Sequence, residues 1–549
     1  MRASYSVLMV VRTFTTLDRM LTLREALYPD PPHLKFVVEK GSKFARGLGP
    51  HIEQLGFEVL TWAEAKTTRF DVILAAHATA ALGELRGLVF VVPHGAGYNR
   101  RVGWSSGSDR FATGLVDGQL TTEAGTVYAS AIGVSHEEQV VRLRESAPEA
   151  VDRAVVIGDP VFDRIAASRP RRDEFRDRFG ILPGQKLVAV TSTWGEWGTV
   201  GSAASLPMKL LAQLPMDQYR VLLIMHQNVW FADSPAGIKA KLRDELDSGL
   251  VIVPPQTPWE PGLVAADICL GDHSSLSIYA ASIGCRFLLV ADGRKELVPE
   301  SPLARLCEQA TRLDLEGDLR RQIEVHLSGP RLLSPQDIAN SIFQKQNRSL
   351  AEFRFVVRTL AGLPDLPDPP RMTPVGDPEL IKGRRITAWV VVTRTGDDGT
   401  VLIERCPRIA RTSWAGPDAD VCQVVDHAEV DEITLSNGEI LLRSYPVAKA
   451  AGEKWVDATL TPSEENGIAG GRVPTELPSA CVAAYRHADG IAVRWRGGPR
   501  VDVACDDVFA AATVLHRRWL NGDPLDRPGC ATYSYRPGEV EHFGFTPAP

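Results

Sequence analysis

Residues 266–290, Ala-Asp-Ile-Cys-Leu-Gly-Asp-His-Ser-Ser-Leu-Ser-Ile-Tyr-Ala-Ala-Ser-Ile-Gly-Cys-Arg-Phe-Leu-Leu-Val, constrain the fold more than any other stretch of the chain. An apolar run ends at Gly271, a polar knot Asp272-His273-Ser274-Ser275 follows, a helical pattern runs to Gly284, and a second apolar run closes the unit. The order is strand, helix start, helix, strand, which requires a parallel sheet. Amide N–H groups in the first turn of such a helix have no intrahelical partner and sit at the positive end of its dipole, so they hold a phosphate readily. Ser274 and Ser275 add hydroxyls there. The alternative is that Asp272 and Ser274 simply cap the helix, a role both residue types fill.

The same alternation runs through much of the chain. Strands are predicted at 6–11, 35–38, 58–60, 71–75, 88–92, 131–134 and 154–157, with helical spacing at 19–27 and 51–55. After Gly158-Asp159-Pro160 and a charged segment at 171–178 the pattern restarts, with strands at 187–191, 221–225, 250–253, 268–270 and 287–290 and helices at 207–214 and 238–246. The expected fold class is α/β, two doubly wound Rossmann-like lobes, followed by a C-terminal α+β domain. The lobes divide at 1–165 (acceptor side) and 166–345 (nucleotide side). An amphipathic stretch at 335–360 follows, with 346–362 expected to cross back to the first lobe. A Pro-rich linker covers 363–379. The appendage, 380–549, is β-rich, with strands predicted at 386–393, 401–404, 432–435, 440–444, 480–485 and 491–496 and a helix at 507–520. It carries no motif that attaches to chemistry.

At 549 residues and 44% hydrophobic the chain buries several cores, and a net charge of −7 without a run of five like charges argues against nucleic-acid binding. Eight cysteines are scattered without a Cys-x-x-Cys pair or zinc spacing and read as thiols in a reducing compartment. Val7 to Val11 is too short for a signal-peptide core, and no segment reaches eighteen apolar residues, so a cytoplasmic protein without a transmembrane segment is expected. Peripheral membrane contact stays open, because sequence order hides where distant lysines and arginines gather. Oligomeric state is not readable.

In open parallel sheets ligands bind beyond the carboxyl ends of the strands. The polar residues that follow predicted strands are His77, the segment Pro93-His94-Gly95-Ala96-Gly97-Tyr98, Thr191 to Gly195, His226-Gln227-Asn228, and Asp272 to Ser275. His94 is the general-base candidate, since imidazole titrates near neutrality and Gly95 and Gly97 let a substrate approach the backbone. A structural histidine bonded to a carbonyl is the alternative. His226 either donates to a phosphate oxygen or closes a strand end. His77 lacks glycine-rich surroundings and ranks lower. Trp194 and Trp197 wall a pocket or pack a core. Ser135-His136-Glu137-Glu138 has capping-box spacing, which makes His136 an exposed first-turn residue. Phosphate-loop, dinucleotide and His-Glu-x-x-His motifs are absent from the sequence. Gly103-Trp104-Ser105-Ser106-Gly107 spells Gly-x-Ser-x-Gly but sits in a polar loop, where a nucleophile elbow does not form.

Taken in order, these motifs resemble those of the CDP-glycerol glycerophosphotransferase family, the teichoic-acid type polymerases and primases with the GT-B glycosyltransferase fold. Pro93-His94-Gly95-Ala96-Gly97-Tyr98-Asn99-Arg100 stands where that family has His-Gly-Thr-Pro-x-Lys, and Gly158-Asp159-Pro160-Val161-Phe162-Asp163 fits its Gly-x-Pro-x-x-Asp. Thr193-Trp194-Gly195 stands for Thr-Trp-Arg, His226-Gln227 for His-Pro, and Gly271-Asp272-His273-Ser274-Ser275 for Thr-Asp-Tyr-Ser-Ser. The correspondence spans residues 5–345. Ala96, Asn99 with Arg100, Gln227 and His273 depart from the family pattern.

The resemblance implies a transfer without metal or other cofactor, from a nucleotide-diphosphate donor to an acceptor hydroxyl. His94 is the implied base. Gly95, Gly97, Arg100, Thr193, Trp194, His226, Asp272, His273, Ser274 and Ser275 are the implied binding set, with the donor diphosphate against a helix starting at Asp272. A nucleotide-sugar glycosyltransferase, an enzyme like the UDP-N-acetylglucosamine 2-epimerases, and a non-catalytic binding protein of the same fold are the competing readings.

Overall fold

The computed structural model describes residues 5–42, 45–102, 111–255, 257–409, 420–426, 438–444, 452–453, 459–460 and 480–548. The Gly103 to Gly107 motif and the strand expected at 432–435 lie outside them. No described helix is long and apolar enough to cross a membrane.

Among the described residues the strands form two open sheets and one closed barrel. The first sheet contains β1 (Ser6–Val11), β2 (His33–Val38), β3 (Val59–Leu60), β4 (Arg69–Ala75), β5 (Arg86–Val91), β6 (Ala129–Val134) and β7 (Ala154–Val156), ordered β3-β2-β1-β4-β5-β6-β7. Every pairing in it is parallel. The second contains β8 (Lys186–Ser192), β9 (Tyr219–Met225), β10 (Val251–Val253), β11 (Ile268–Gly271) and β12 (Arg286–Leu289), ordered β12-β11-β8-β9-β10. β13 (Ile381–Lys382) adds an antiparallel edge to β10, so these two residues of the expected appendage complete the second sheet. Val7 to Val11 and Leu187 to Ser192 are buried throughout, as strands covered by helices on both faces must be. Strand order reverses beside β1 in one sheet and beside β8 in the other, and the crevices at these switch points are where ligands of such sheets bind.

The junction of the lobes explains the Gly158 to Asp163 motif. Gly158 has φ +76°, and a Cβ there would lie 2.5 Å from the Gln344 carbonyl. Asp159 caps the helix Pro160–Ser168 by accepting the Val161 and Phe162 amides. Asp163 accepts the amides of Asn347 and Ser349, at 2.7 and 3.1 Å, and the Ser349 hydroxyl. The amphipathic stretch at 335–360 is therefore broken. Pro335–Ile342 packs in the second lobe, Lys345 and Asn347 turn the chain with positive φ, and Ser349–Leu360 packs Leu350, Phe353, Val356 and Val357 on the first sheet. The Pro160 helix buries Val161, Phe162 and Ile165 in the second lobe's core. The Pro-rich segment then runs along both lobes. The Thr373 amide donates to Glu25 of the first, and the Val375 carbonyl accepts from Arg171 at the start of the second.

The appendage is a closed barrel. β14 (Ala388–Thr395), β15 (Val401–Pro407), β16 (Asp420–Asp426), β17 (Ile440–Arg443), β18 (Val482–His487), β19 (Gly490–Trp495), β20 (Arg500–Ala504), β21 (Gly529–Ser534) and β22 (Glu541–Pro547) close in the order β14-β15-β21-β22-β20-β19-β18-β17-β16. The helix Val508–Leu520 is buried at every position from Val508 to His516, whereas a surface helix hides one stripe. It shares a core with all nine strands, β14 to β22, so it fills the barrel, and Ala510-Ala511-Ala512 keep it slim enough to fit. The barrel docks at the amino ends of the second sheet's strands. Arg405 pairs with Asp217, the Met216 amide donates to the Arg405 carbonyl, and buried Glu404 accepts from Gln218 and Arg320. The cleft lies at the opposite, carboxyl ends. Ala511→Leu should overpack the barrel core and lower its stability by roughly 1–3 kcal/mol. The expected reading is faster hydrogen exchange in β17 to β19 with unchanged exchange in β1 and β8.

Candidate functional site

Between the lobes lies a cavity of about 930 Å³, within the range of ligand clefts. His77, His94, Gly95, Gly97 and Arg100 line it from the first lobe, and Thr193, Trp194, His226, His273, Ser274 and Ser275 from the second. Of the residues singled out in the sequence as base or ligand, Asp272 alone is missing from its wall. Trp197 is not in the wall either, and Lys295 lies over its partly exposed ring.

Asp272 neither starts the helix nor lines the cavity. The helix is Ser275–Ser282, with Ser274 at its N-cap position and no side-chain cap bond. Asp272 is fully buried and accepts the amides of Thr193, at 2.7 Å, and Thr199, at 2.9 Å. It stitches the end of β11 to the loop after β8 across the switch point. Burial raises its carboxyl pKa.

The two glycines of the His94 loop make room for protein groups, Gly95 for the second lobe and Gly97 for the first. The Ser275 hydroxyl accepts the Ala96 amide at 3.2 Å, and a Cβ on Gly95 would lie 2.7 Å from that oxygen. Gly97 has φ +74°, and a Cβ there would meet Gln139 at 2.6 Å. Gly95 thus admits a neighbouring protein hydroxyl, where the sequence suggested an approaching substrate. Arg100 is also committed within the protein. It pairs with Glu296 at 3.0 Å and stacks over Trp194, while His273 Nε2 lies 2.9 Å from the same carboxylate. The His273 hydrogen bond and Arg100 hold Glu296 below its ordinary pKa. Alongside, the Arg101 amide donates to the Glu296 carbonyl and the Val298 amide to the Asn99 carbonyl, both at 2.8 Å, a short antiparallel bridge between lobes.

His226 occupies the N-cap of the helix Gln227–Lys241, where its Nδ1 accepts the Asn228 amide at 3.1 Å. That bond makes Nε2 the protonated nitrogen of the neutral ring, a donor. His136 caps the helix Glu137–Ser146 in the same way, and Ser135, expected to cap, is buried with Gln139. Burial depresses His226 to about 3, with His94 and Arg100 adding to it. The His94 side chain opens into the cavity, yet desolvation between the lobes, beside Arg19 and His77, pushes it down to about 4. Both rings are neutral at pH 7, one able to accept a proton and one to donate a hydrogen bond. His77 Nε2 lies 2.5 Å from Glu39, whose carboxylate also accepts from Thr79.

Sequence reasoning missed the buried network beneath these groups. Arg19 of the helix Phe14–Arg24 is bidentate to Asp159, at 3.3 and 3.1 Å, and donates to the Gly95 carbonyl at 3.1 Å. Tyr279 of the Ser275 helix donates to the same Asp159 at 3.1 Å. Asp159 stood in the sequence only as part of the Gly158 to Asp163 motif. Nothing in a mid-helix arginine or tyrosine announced the rest. Asp18, which bonds Gln227 at 2.6 Å, and Glu260, paired with Arg164, were likewise unmarked. No group of three or more His, Cys, Asp or Glu among the described residues is arranged to hold a metal ion.

No family model matches the sequence, and no curated protein matches it. Solved structures with a similar fold include S. aureus MnaA with UDP (TM-score 0.42, 12% identity, 68% of this chain and 99% of that one). The UDP-GlcNAc 2-epimerase of Neisseria meningitidis bound to UDP-GlcNAc scores 0.41 at 14% identity, covering 65% and 100%. A variant of the wall teichoic acid polymerase TagF soaked with CDPG scores 0.40 at 12% identity, covering 65% and 88%. Likeness at this level assigns no substrate to this chain.

The depressed imidazoles predict acid sensitivity. His94, His226 and His516 (about 4, from burial) stay neutral in the folded state to well below the ordinary histidine pKa of about 6.5. The unfolded chain therefore binds more protons, and stability falls as pH drops from about 6.5 towards 4. Asp18, Asp163 and Asp272, raised by desolvation, act in the opposite sense, so the comparison is with variants. Melting temperature measured from pH 7.5 to 4.5 should fall less steeply in His94→Gln/His226→Asn than in the parent.

Proposed function

We propose that this chain is a two-lobed transferase that moves a glycerol-phosphate or related group from a nucleotide-diphosphate donor, CDP-glycerol or a relative of it, to an acceptor hydroxyl. The observation that carries this reading is the shared cavity at the carboxyl ends of both parallel sheets. There a neutral His94 from one lobe meets the Ser275 helix N-terminus and the His226 donor from the other. His94 takes the acceptor proton as the acceptor oxygen attacks the distal phosphorus of the donor. The bond from that phosphorus to the bridging oxygen breaks, and the nucleoside monophosphate leaves. The charge growing on it is met by amides of the Ser275 helix, the Ser274 hydroxyl and His226 Nε2–H, donors already in place before reaction. Arg100, Glu296 and His273 hold the lobes together around the reactants, and Asp272 sets the loop that carries Thr193. Closed lobes keep water from the donor.

The cleft suits a nucleotide sugar by the same contacts, and the nucleotide selected by the protein decides between them. In a thermal-shift panel of CMP, CDP, CDP-glycerol, UDP, UDP-sugars and GDP-sugars, a cytidine-selective rise that disappears in Ser274→Ala is expected. A uridine- or guanosine-selective rise replaces phosphotransfer with sugar chemistry. No rise with any nucleotide leaves a binding protein of this fold. With the donor in hand, His94→Ala should slow transfer by about 10²- to 10⁴-fold and Ser274→Ala by up to about 10²- to 10³-fold, measured as released nucleotide. Wild-type rates in both variants would sink the mechanism.

A further inference from the structure

The start of the Gln227 helix reaches across the cleft. Gln227 Nε2 donates to Asp18 Oδ2 on the Phe14 helix at 2.6 Å, and one turn later Phe231 stacks on Phe14 with centroids 4.7 Å apart. The helix breaks at Ser234, whose φ of 65° and ψ of 155° are not helical, and Pro235 follows. Residues 227–233 thus form an arm rooted in the second lobe and seated on the first. The arm's leading carboxamide is half satisfied, because Gln227 Oε1 is buried with no hydrogen-bond partner among the described residues. An ionised carboxylate only accepts and would leave that oxygen orphaned, whereas a carboxylic acid has an O–H to give it. An acid facing a primary amide closes a ring of two hydrogen bonds, Nε2–H to Oδ2 and Oδ1–H to Oε1.

We propose that Asp18 is a positioning residue acting through Gln227. As the neutral acid it completes this ring and holds the 227–233 arm, with His226 at its root, against the first lobe, and its ionisation opens the ring and loosens the arm. The consequence for His226 rests on the donor-binding role given to it above, while the latch itself does not. The charged groups facing Asp18 are Glu260 of the helix Glu260–Ala265 and Arg164 of the Pro160 helix, which pair with each other. The Asp18 side chain is exposed to the cavity, and desolvation between the lobes, with Glu260, pushes it up to about 7, although Gln227 and Arg164 pull it down. The ring is therefore complete below pH 7 and lost above it. An amide at position 18 reproduces the acid: its Nδ2–H donates to Oε1 at every pH.

The test is hydrogen–deuterium exchange of the 227–233 amides, corrected for intrinsic exchange, from pH 5.5 to 8.5 in the wild type, Asp18→Asn and Asp18→Ala. Wild-type protection should fall about fivefold across neutrality, the size of one lost hydrogen bond. Asp18→Asn should stay at the low-pH wild-type level throughout, and Asp18→Ala should stay at the lower, high-pH wild-type level throughout. A pH-independent wild type, or an Asp18→Asn variant that loses protection as the wild type does, overturns the proposal. Should either variant misfold, the Asp18 carboxyl carbon titrated by NMR in the wild-type protein decides, and titration below about pH 5 overturns it. The latch and the donor reading fail separately, since the exchange experiment contains no nucleotide and the thermal-shift panel is read at one pH.

Discussion

A single buried carboxylate sets the geometry of the cleft. Asp159 caps the Pro160 helix at the junction of the lobes, binds Arg19 from the first lobe with both oxygens, and accepts the Tyr279 hydroxyl from the second. The Arg19 and Asp159 side chains are 2% and 0% exposed, so neither charge has water as an alternative partner. Removing one member of such a pair leaves the other buried and uncompensated, at a cost of about 3–5 kcal/mol. Arg19 also holds the Gly95 carbonyl next to His94, and Tyr279 sits on the helix whose first turn carries Ser275. The first-lobe and second-lobe halves of the candidate site are therefore referenced to one group.

Around that anchor the cleft is held closed on two sides. On one, the 99–101 and 296–298 segments pair through their backbones, with Arg100, Glu296, His273 and Trp194 locked beside them. On the other, the Gln227 arm rests on Asp18 and Phe14. Enclosure between the lobes limits the water around the imidazoles, which keeps His94 and His226 neutral. The same enclosure consumes cations. Arg19, Arg100 and Arg164 all face carboxylates, while Arg12 and Arg24 also line the cavity.

The architecture was largely legible because parallel strands covered on both faces must be apolar runs, and Ser6 to Val11 or Ile268 to Leu270 cannot be much else. The barrel was not, since Asp420–Asp426, Asp-Val-Cys-Gln-Val-Val-Asp, breaks the alternation of a strand, and Arg500–Ala504 keeps it over only five residues. A helix such as Val508–Leu520 looks like a surface helix until the strands around it are known. At the site, position at strand ends picked out His94, His226, Ser274 and Ser275, all of which line the cavity. The same reasoning put Asp272 in contact with ligand, because a polar residue after a strand carries no mark of whether it turns outward or back into the sheet.

By itself the sequence determined what depends on local pattern: two parallel sheets with interleaved helices, the helix-start amides after β11 and the polar residues at the strand ends. Only the tertiary structure decided which of these meet. Arg19 and Asp159 are 140 residues apart, Ala96 and Ser275 are 179 apart, and Asp18 and Gln227 are 209 apart. Periodicity and capping act over a few residues, while the enclosure that neutralises His94, diverts Arg100 to Glu296 and demands Gly95 exists only once the two lobes have closed on each other.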